Sequence, residues 1–247
     1  MQTWSVGILC YNEAGTLGKV TKDLVDVLKQ MTDTFEVIIV DDRSSDGSRV
    51  VANDLANVYP QVRVVSHEMN KGIGGALRSI YDTAKYENIG FIPGDGQFDV
   101  KEYLPFPEIA DNHFLSFYRK ENTSYNLFRN ALSLCNKKLN AMFLGITLKD
   151  VNWTKVYKRK DIRELNLELT SSLIESEICA KLLYQKKRVI EVESKYLPRT
   201  YGESKGASMK IVKKALKDTL VLIQIMSRFK KAMKQKAKKT SDSLTTQ

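Results

Sequence analysis

Histidine is scarce in this 247-residue chain: His67 and His113 are the only two, and neither sits at metal-ligand spacing. A histidine-based triad or a zinc centre is therefore not expected. Cysteine is also rare. Cys10, Cys135 and Cys179 are scattered and odd in number, which argues against a disulfide framework and for buried free thiols in a reducing compartment. No apolar run approaches the ~18 residues that cross a bilayer. The polar start Met1-Gln2-Thr3-Trp4 has no signal-peptide character. Neither a Walker A loop nor a G-x-G-x-x-G fingerprint is present, so a P-loop NTPase or a dinucleotide enzyme is not supported.

The excess of basic over acidic residues falls in one place. Residues 1–208 hold 28 Lys and Arg against 27 Asp and Glu, whereas residues 209–239 hold 11 against one, Asp218. The formal charge of +10 thus belongs to a single segment of a nearly neutral body. That distribution suits a local anionic partner and does not suit a surface that coats nucleic acid.

What the chain does contain is an ordinary globular composition, 43% hydrophobic and 28% charged, with enough length for one sizeable core. The first 112 residues alternate strand and helix. Three apolar strands, Ser5–Cys10, Phe35–Val40 and Gly90–Ile92, each run into an acidic turn, and Val62–Ser66 adds a fourth strand. Helical spacing marks Thr16–Met31, Ser48–Tyr59 and Gly72–Lys85. Repeated βα units of this length imply a parallel sheet with right-handed crossovers. Beyond residue 112 we expect strands at His113–Tyr118, Val151–Tyr157 and Val189–Leu197, and helices at Ser124–Phe143 and Ser171–Gln185. No linker separates the halves. One catalytic domain over 1–207 is expected, with a nucleotide-binding half (1–112) and an acceptor half (113–207).

In an open α/β sheet, ligands bind outside the carboxyl ends of the strands. Tyr11-Asn12-Glu13, Asp41-Asp42 and Gly94-Asp95-Gly96-Gln97 all fall at that edge. Taken singly, Asn12 is a reasonable helix cap and Asp42 a reasonable turn residue. Asp95, on a glycine-flanked turn, is suited to hold a divalent cation against phosphate oxygens. Asn70-Lys71-Gly72-Ile73-Gly74-Gly75-Ala76 looks like a phosphate loop, but small residues there serve close helix packing, with the helix N-terminus adding some field toward phosphate.

The order and wording of these blocks resemble the family-2 glycosyltransferases of GT-A fold, and most closely their dolichol-phosphate mannosyltransferase-like, polyprenyl-phosphate branch, over roughly residues 3 to 205. The resemblance implies an α/β, Rossmann-like fold with a mostly parallel sheet flanked by helices. It implies donor binding by Tyr11, Asn12, Glu13, Val40, Asp42, Gly94 and Asp95, and a Mg2+ or Mn2+ ion held by Asp95 and Gln97. Where the family's metal block reads Asp-Ala-Asp-x-Gln, this chain has Pro93, Gly94, Asp95, Gly96 and Gln97, so the first acid is missing. The resemblance further assigns Arg119, Arg129, Arg199, Ser204 and Lys205 to phosphate, with Asp95 and Arg119 as the catalytic pair. Guanidinium forks suit phosphate by charge-assisted, bidentate hydrogen bonds.

The implied reaction is a single displacement with inversion, from a nucleotide diphosphate sugar to a polyprenyl phosphate at the cytoplasmic membrane face. An acceptor phosphate needs no strong general base. A saccharide hydroxyl acceptor would need one, and Asp150 and Glu177 are the candidates. A third reading, a non-catalytic nucleotide-sugar binder, is motivated by Pro93-Gly94. Over 208–239, Val212, Leu216, Leu220, Ile223, Met226, Phe229 and Met233 recur at helical spacing with lysines opposite. Such a helix reads as an in-plane anchor on anionic membrane, separate from the catalytic core, or else as a helix packed on its own domain. Residues 240–247 are expected to be a disordered tail.

Overall fold

The computed structural model describes residues 1–120, 141, 144–201 and 209–244, with the side chains of the last helix described over 217–238. The first half runs β1 (Trp4–Cys10), α1 (Ala14–Met31), β2 (Phe35–Asp41), α2 (Ser48–Val58), β3 (Val62–Ser66), α3 (Gly72–Thr83) and β4 (Asn88–Pro93). After a short 3-10 turn at Val100–Tyr103 come β5 (His113–Arg119), β6 (Lys155–Lys158), α4 (Arg159–Glu164), α5 (Ile174–Tyr184), β7 (Arg188–Ser194) and α6 (Met209–Leu244).

The strands form one seven-stranded sheet in the order β3-β2-β1-β4-β6-β5-β7. Only β6 runs antiparallel to its neighbours. β2 is buried along its whole length, as expected of a central strand covered on both faces. One apolar cluster lies under α3, α5 and α6. The other lies under α1 and takes in Trp4, Phe98, Tyr103, Phe117 and Trp153. The two expected halves share this sheet, because β4 pairs directly with β6.

Several expectations change. The strand expected from Val151 begins only at Lys155, because residues 150–153 form a turn wound onto the Lys155 side chain. The helix expected at Ser124–Phe143 lies almost wholly outside the described residues. Of the glycines in α3, Gly74 serves packing, but against a loop: a Cβ on it would fall 2.1 Å from the Ser171 carbonyl oxygen, whereas Gly72 meets nothing and is held at φ +71°.

The C-terminal helix differs most. It continues to Leu244, so the tail expected to be disordered is helical over 240–244. Nor does it stand apart from the domain. Leu222, Ile225 and Met226 are almost completely buried in the α3/α5 core cluster, and the Phe229 ring meets Tyr184 edge-on at 6.0 Å. The apolar stripe over 222–229 faces its own domain because α5 presents a matching apolar surface there. Among the described residues no helix is long and apolar enough to cross a membrane.

Candidate active site at the sheet edge

β1, β2 and β4 end in register: Leu9 lies opposite Val40 on one side and Pro93 on the other. The chain leaves β1 toward β2 and β3, and later returns to place β4 on the other flank of β1. The boundary between β1 and β4 is thus the topological switch point, where open α/β sheets bind ligands. Glu13 follows β1 and Asp95 follows β4, so the two carboxylates stand on either side of it.

The β1 and β2 loops are stitched together. Asn12, held in the left-handed region at φ 60°, donates its backbone N–H to Ser44 Oγ (2.9 Å) and accepts from the Ser45 N–H at Oδ1 (2.8 Å). Glu13 N–H donates to Ser48 Oγ at 2.8 Å, and Ala14 N–H to Asp46 at 3.0 Å. Asp42 is buried and fully engaged. It meets His67 Nδ1 at 2.7 Å and accepts the Lys71 and Gly72 N–H groups at 2.8 Å each. Its carboxylate therefore anchors the loop that leads into α3. The Val40 side chain is fully buried in the core.

On the β4 side, Gly94 N–H donates to Leu9 O at 2.9 Å, and Gly94 O accepts from Thr16 Oγ1 at 2.7 Å. A Cβ on Gly94 would lie 2.8 Å from Leu9 O, so this residue is small because two strand ends touch there. Asp95 Oδ1 accepts the Gln97 N–H at 3.0 Å. The Gln97 side-chain amide donates to Tyr196 Oη at 2.8 Å and to Leu197 O at 3.4 Å. Gln97 thereby ties the Asp95 turn to the segment that carries Arg199.

Arg199 is the centre of the arrangement. Its Nη2 is hydrogen-bonded to Glu13 Oε1, and its Nη1 lies 3.9 Å from Asp95 Oδ2. The resemblance assigned Arg199 to the acceptor phosphate, but here it bridges the two carboxylates of the donor side. Burial pushes the pKa of both acids up. Arg199 works against that rise at Glu13; at Asp95 the Gln97 N–H, Arg199 and Arg119 do so. Tyr201 closes the segment, its ring resting on Gly15 at the start of α1.

Could these residues hold a divalent ion? Glu13 Oε2 is buried without a hydrogen-bond partner, and the Asp95 carboxylate converges on the same guanidinium. Two carboxylates aimed at one cation position, one with an unsatisfied oxygen, fit a Mg2+ or Mn2+ ion that takes its remaining ligands from phosphates and water. No cluster of three or more candidate metal-ligating side chains occurs among the described residues, so diphosphate oxygens would have to complete the shell.

Arg119 ends β5. Its Nε donates to Asp150 at 2.8 Å, and its guanidinium stacks 4.6 Å from the Trp153 ring and 5.7 Å from the Tyr196 ring. Asp150 is thus an orienting partner of Arg119. Glu177, the other candidate base, is fully buried, pairs with Lys181 at 2.6 Å and accepts the Glu168 and Leu169 N–H groups. It is a structural residue with no route to an acceptor hydroxyl. Trp153 and Tyr196 escaped notice in the sequence, where nothing but aromaticity beside a strand end marks them. Arg129, Ser204 and Lys205 lie outside the described residues. Cys10 and Cys179 are buried, and burial pushes their thiols up to about 12 and about 11, so both are inert at neutral pH.

The model of the family described as "Glycosyl transferase family 2" matches residues 5–165, well over half of the chain. The chain belongs to glycosyltransferase family 2. It is 26% identical over 214 residues to an undecaprenyl-phosphate 4-deoxy-4-formamido-L-arabinose transferase of Proteus mirabilis, covering 84% of this chain and 64% of that protein. It therefore spans somewhat less than two thirds of the length of that relative. Over 108 residues it is 30% identical to the dolichyl-phosphate beta-glucosyltransferase of Saccharomyces cerevisiae, covering 40% of this chain and 32% of that one. Among solved structures, it resembles glucosyl-3-phosphoglycerate synthase from Mycobacterium tuberculosis in complex with Mn2+, UDP-glucose and phosphoglyceric acid. That match has a TM-score of 0.62 at 16% identity, over 92% of this chain and 80% of the other. The shared architecture is the GT-A fold.

Proposed function

We propose that this family-2 chain transfers a sugar from a nucleotide diphosphate sugar to a polyprenyl phosphate, with inversion, at the cytoplasmic face of a membrane. The observation that carries this reading is Arg119, clamped by Asp150 and packed against the Trp153 and Tyr196 rings. A hydroxyl acceptor requires a free carboxylate base. In this reading the acceptor instead meets Arg119, an oriented cation whose carboxylate partner Asp150 is already engaged. An anionic acceptor is what such a group attracts, and a phosphate oxygen attacks without prior deprotonation. The relatives' names, which specify undecaprenyl and dolichyl phosphate, support the same substrate class.

In this reading Glu13 and Asp95 hold Mg2+ or Mn2+, which when bound supplies charge neutralisation for the departing diphosphate. Tyr11, Asn12 and the stitched β1/β2 loops seat the nucleoside, with Asp42 acting indirectly by fixing the loop before α3. With Glu13 and Asp95 taken up by an ion, Arg199 would be released from its bridge to face phosphate. Arg119 orients the acceptor phosphate for in-line attack. Outside the site, the exposed lysine stripe of α6 meets an anionic membrane surface.

Incubation of the protein with Mn2+, a panel of nucleotide sugars and a short-chain polyprenyl phosphate tests the reading. A lipid-linked sugar is expected with one donor, and its loss in Arg119→Ala. Transfer to saccharide hydroxyls but not to the lipid phosphate would overturn it.

A further inference from the structure

Directly beneath the Arg119 clamp lies a charged group that the reaction itself does not use. Lys155, the first residue of β6, is fully buried. Its ammonium donates to three backbone carbonyls of the turn just before it: Asp150 O at 3.3 Å, Val151 O at 2.6 Å and Trp153 O at 2.9 Å. An ammonium has three N–H donors, and here each meets a carbonyl. Burying an unpaired ammonium costs several kcal/mol, so a lysine at this place demands that the chain fold back around it. Charge compensation comes from the same core layer. Glu175, fully buried and gripped by the Tyr81 and Tyr157 hydroxyls at 2.5 and 2.8 Å, is influenced electrostatically by Lys155.

The residues so wound are those that hold Arg119. Asp150 accepts from its Nε, and Trp153 lies under its guanidinium while its own indole N–H is fixed on Ser194 Oγ at 3.0 Å. The same turn is tied to the sheet by the Phe117 N–H to Thr154 O at 3.0 Å. We infer that Lys155 is a positioning residue, an internal cation that shapes residues 150–153 and thereby sets where the Arg119 guanidinium stands. Its consequence for catalysis rests on the reading of Arg119 as the acceptor-phosphate ligand; its consequence for the Arg119–Trp153 stack does not.

The chain has two tryptophans, Trp4 and Trp153, so a Trp4→Phe background makes Trp153 the sole emitter. In the ligand-free protein, Lys155→Met should shift Trp153 emission in the same direction and to a similar extent as Arg119→Ala does. If Lys155→Met fails to fold, Lys155→Met with Glu175→Gln, which removes both buried charges, should show the same shift, while Glu175→Gln alone should not. Unchanged Trp153 emission in a folded Lys155 variant would overturn the inference. Farnesyl phosphate then serves as the acceptor probe. Its affinity should fall about tenfold on removing Lys155 when Arg119 is present, and by less than about twofold in the Arg119→Ala background, as for residues acting through one another. Equal losses in both backgrounds would make Lys155 merely structural. If Arg119→Ala itself leaves farnesyl phosphate binding intact, the acceptor reading fails, and the emission shift alone decides for or against Lys155.

Discussion

At Asp95, burial favours the protonated acid while the Gln97 N–H and two guanidinium groups favour the carboxylate. Burial and these neighbours thus pull the Asp95 carboxyl in opposite directions, with burial the larger influence. Asp95→Asn should abolish the Mn2+-dependent part of nucleotide stabilisation in thermal melts and cut turnover by at least about a hundredfold, in the range seen when a charge-stabilising group is lost. Gly94→Ala should destabilise the fold by about 1–3 kcal/mol in urea titration, because its methyl meets the Leu9 backbone rather than a yielding side chain. Glu175 offers a pH test away from the site. Burial raises its folded pKa above the ordinary 4.5, against the pull of Lys155 and two tyrosine hydroxyls. A raised carboxyl pKa stabilises the fold at low pH, and that contribution is lost as pH climbs from about 4.5 through the folded value. The melting temperature of the wild type relative to Glu175→Gln should thus decline across that rise, and a pH-independent difference would contradict the assignment.

Among the elements, the segment from Tyr196 to Tyr201 does what no single strand end does. It is tethered by Gln97 at one end and rests on Gly15 at the other. Between them it lays Arg199 across Glu13 and Asp95. If Glu13 and Asp95 hold a divalent ion as proposed, this guanidinium would compete with it for the same carboxylates in the ligand-free protein. Arg199→Ala should therefore strengthen Mn2+ binding measured without nucleotide, by calorimetry or by competition with a fluorescent chelator, while weakening nucleotide binding in the presence of Mn2+. If Mn2+ binding weakens instead, Arg199 organises the carboxylates and does not compete for them. The three strand-end clusters were legible in the sequence because apolar-to-acid transitions mark strand ends wherever they occur. The Arg199 bridge was not, since it joins residues 186 positions apart.

Over the whole molecule, α6 changes the account of stability. It contributes Leu222, Ile225 and Met226 to the core shared with α5. Truncating such residues to alanine costs roughly 2–5 kcal/mol each, against about 5–15 kcal/mol for a whole domain. A chain ending at Ser208 should accordingly lose its cooperative melt by circular dichroism or fail to stay soluble; an unaltered melt would show that the helix adds nothing to the core. Lys231, Lys234 and Lys238 lie exposed along the helix beyond its docked stretch, whereas Lys230 stays over the Tyr184 ring, 5.7 Å from its centroid. Attraction of each exposed lysine to anionic lipid is worth about 1 kcal/mol near the surface. Replacing Lys231, Lys234 and Lys238 by glutamine should abolish co-sedimentation with phosphatidylglycerol vesicles without moving the melting temperature.

The sequence by itself determined the alternating βα order, the sheet edge at which Asn12, Glu13, Asp42 and Asp95 gather, and the confinement of positive charge to one helix. Each of these follows from local pattern, because apolar periodicity and turn chemistry act over a few residues. Tertiary structure alone decided which way the helix turned its apolar stripe, since periodicity reveals that a face is apolar but not what covers it. It also decided that Glu177 is structural, that Asp42 spends its carboxylate on His67 and the Lys71–Gly72 backbone, and that Asp150 belongs to Arg119. A carboxylate's role depends on which donors reach it, and those donors come from distant parts of the chain once the sheet has brought them together.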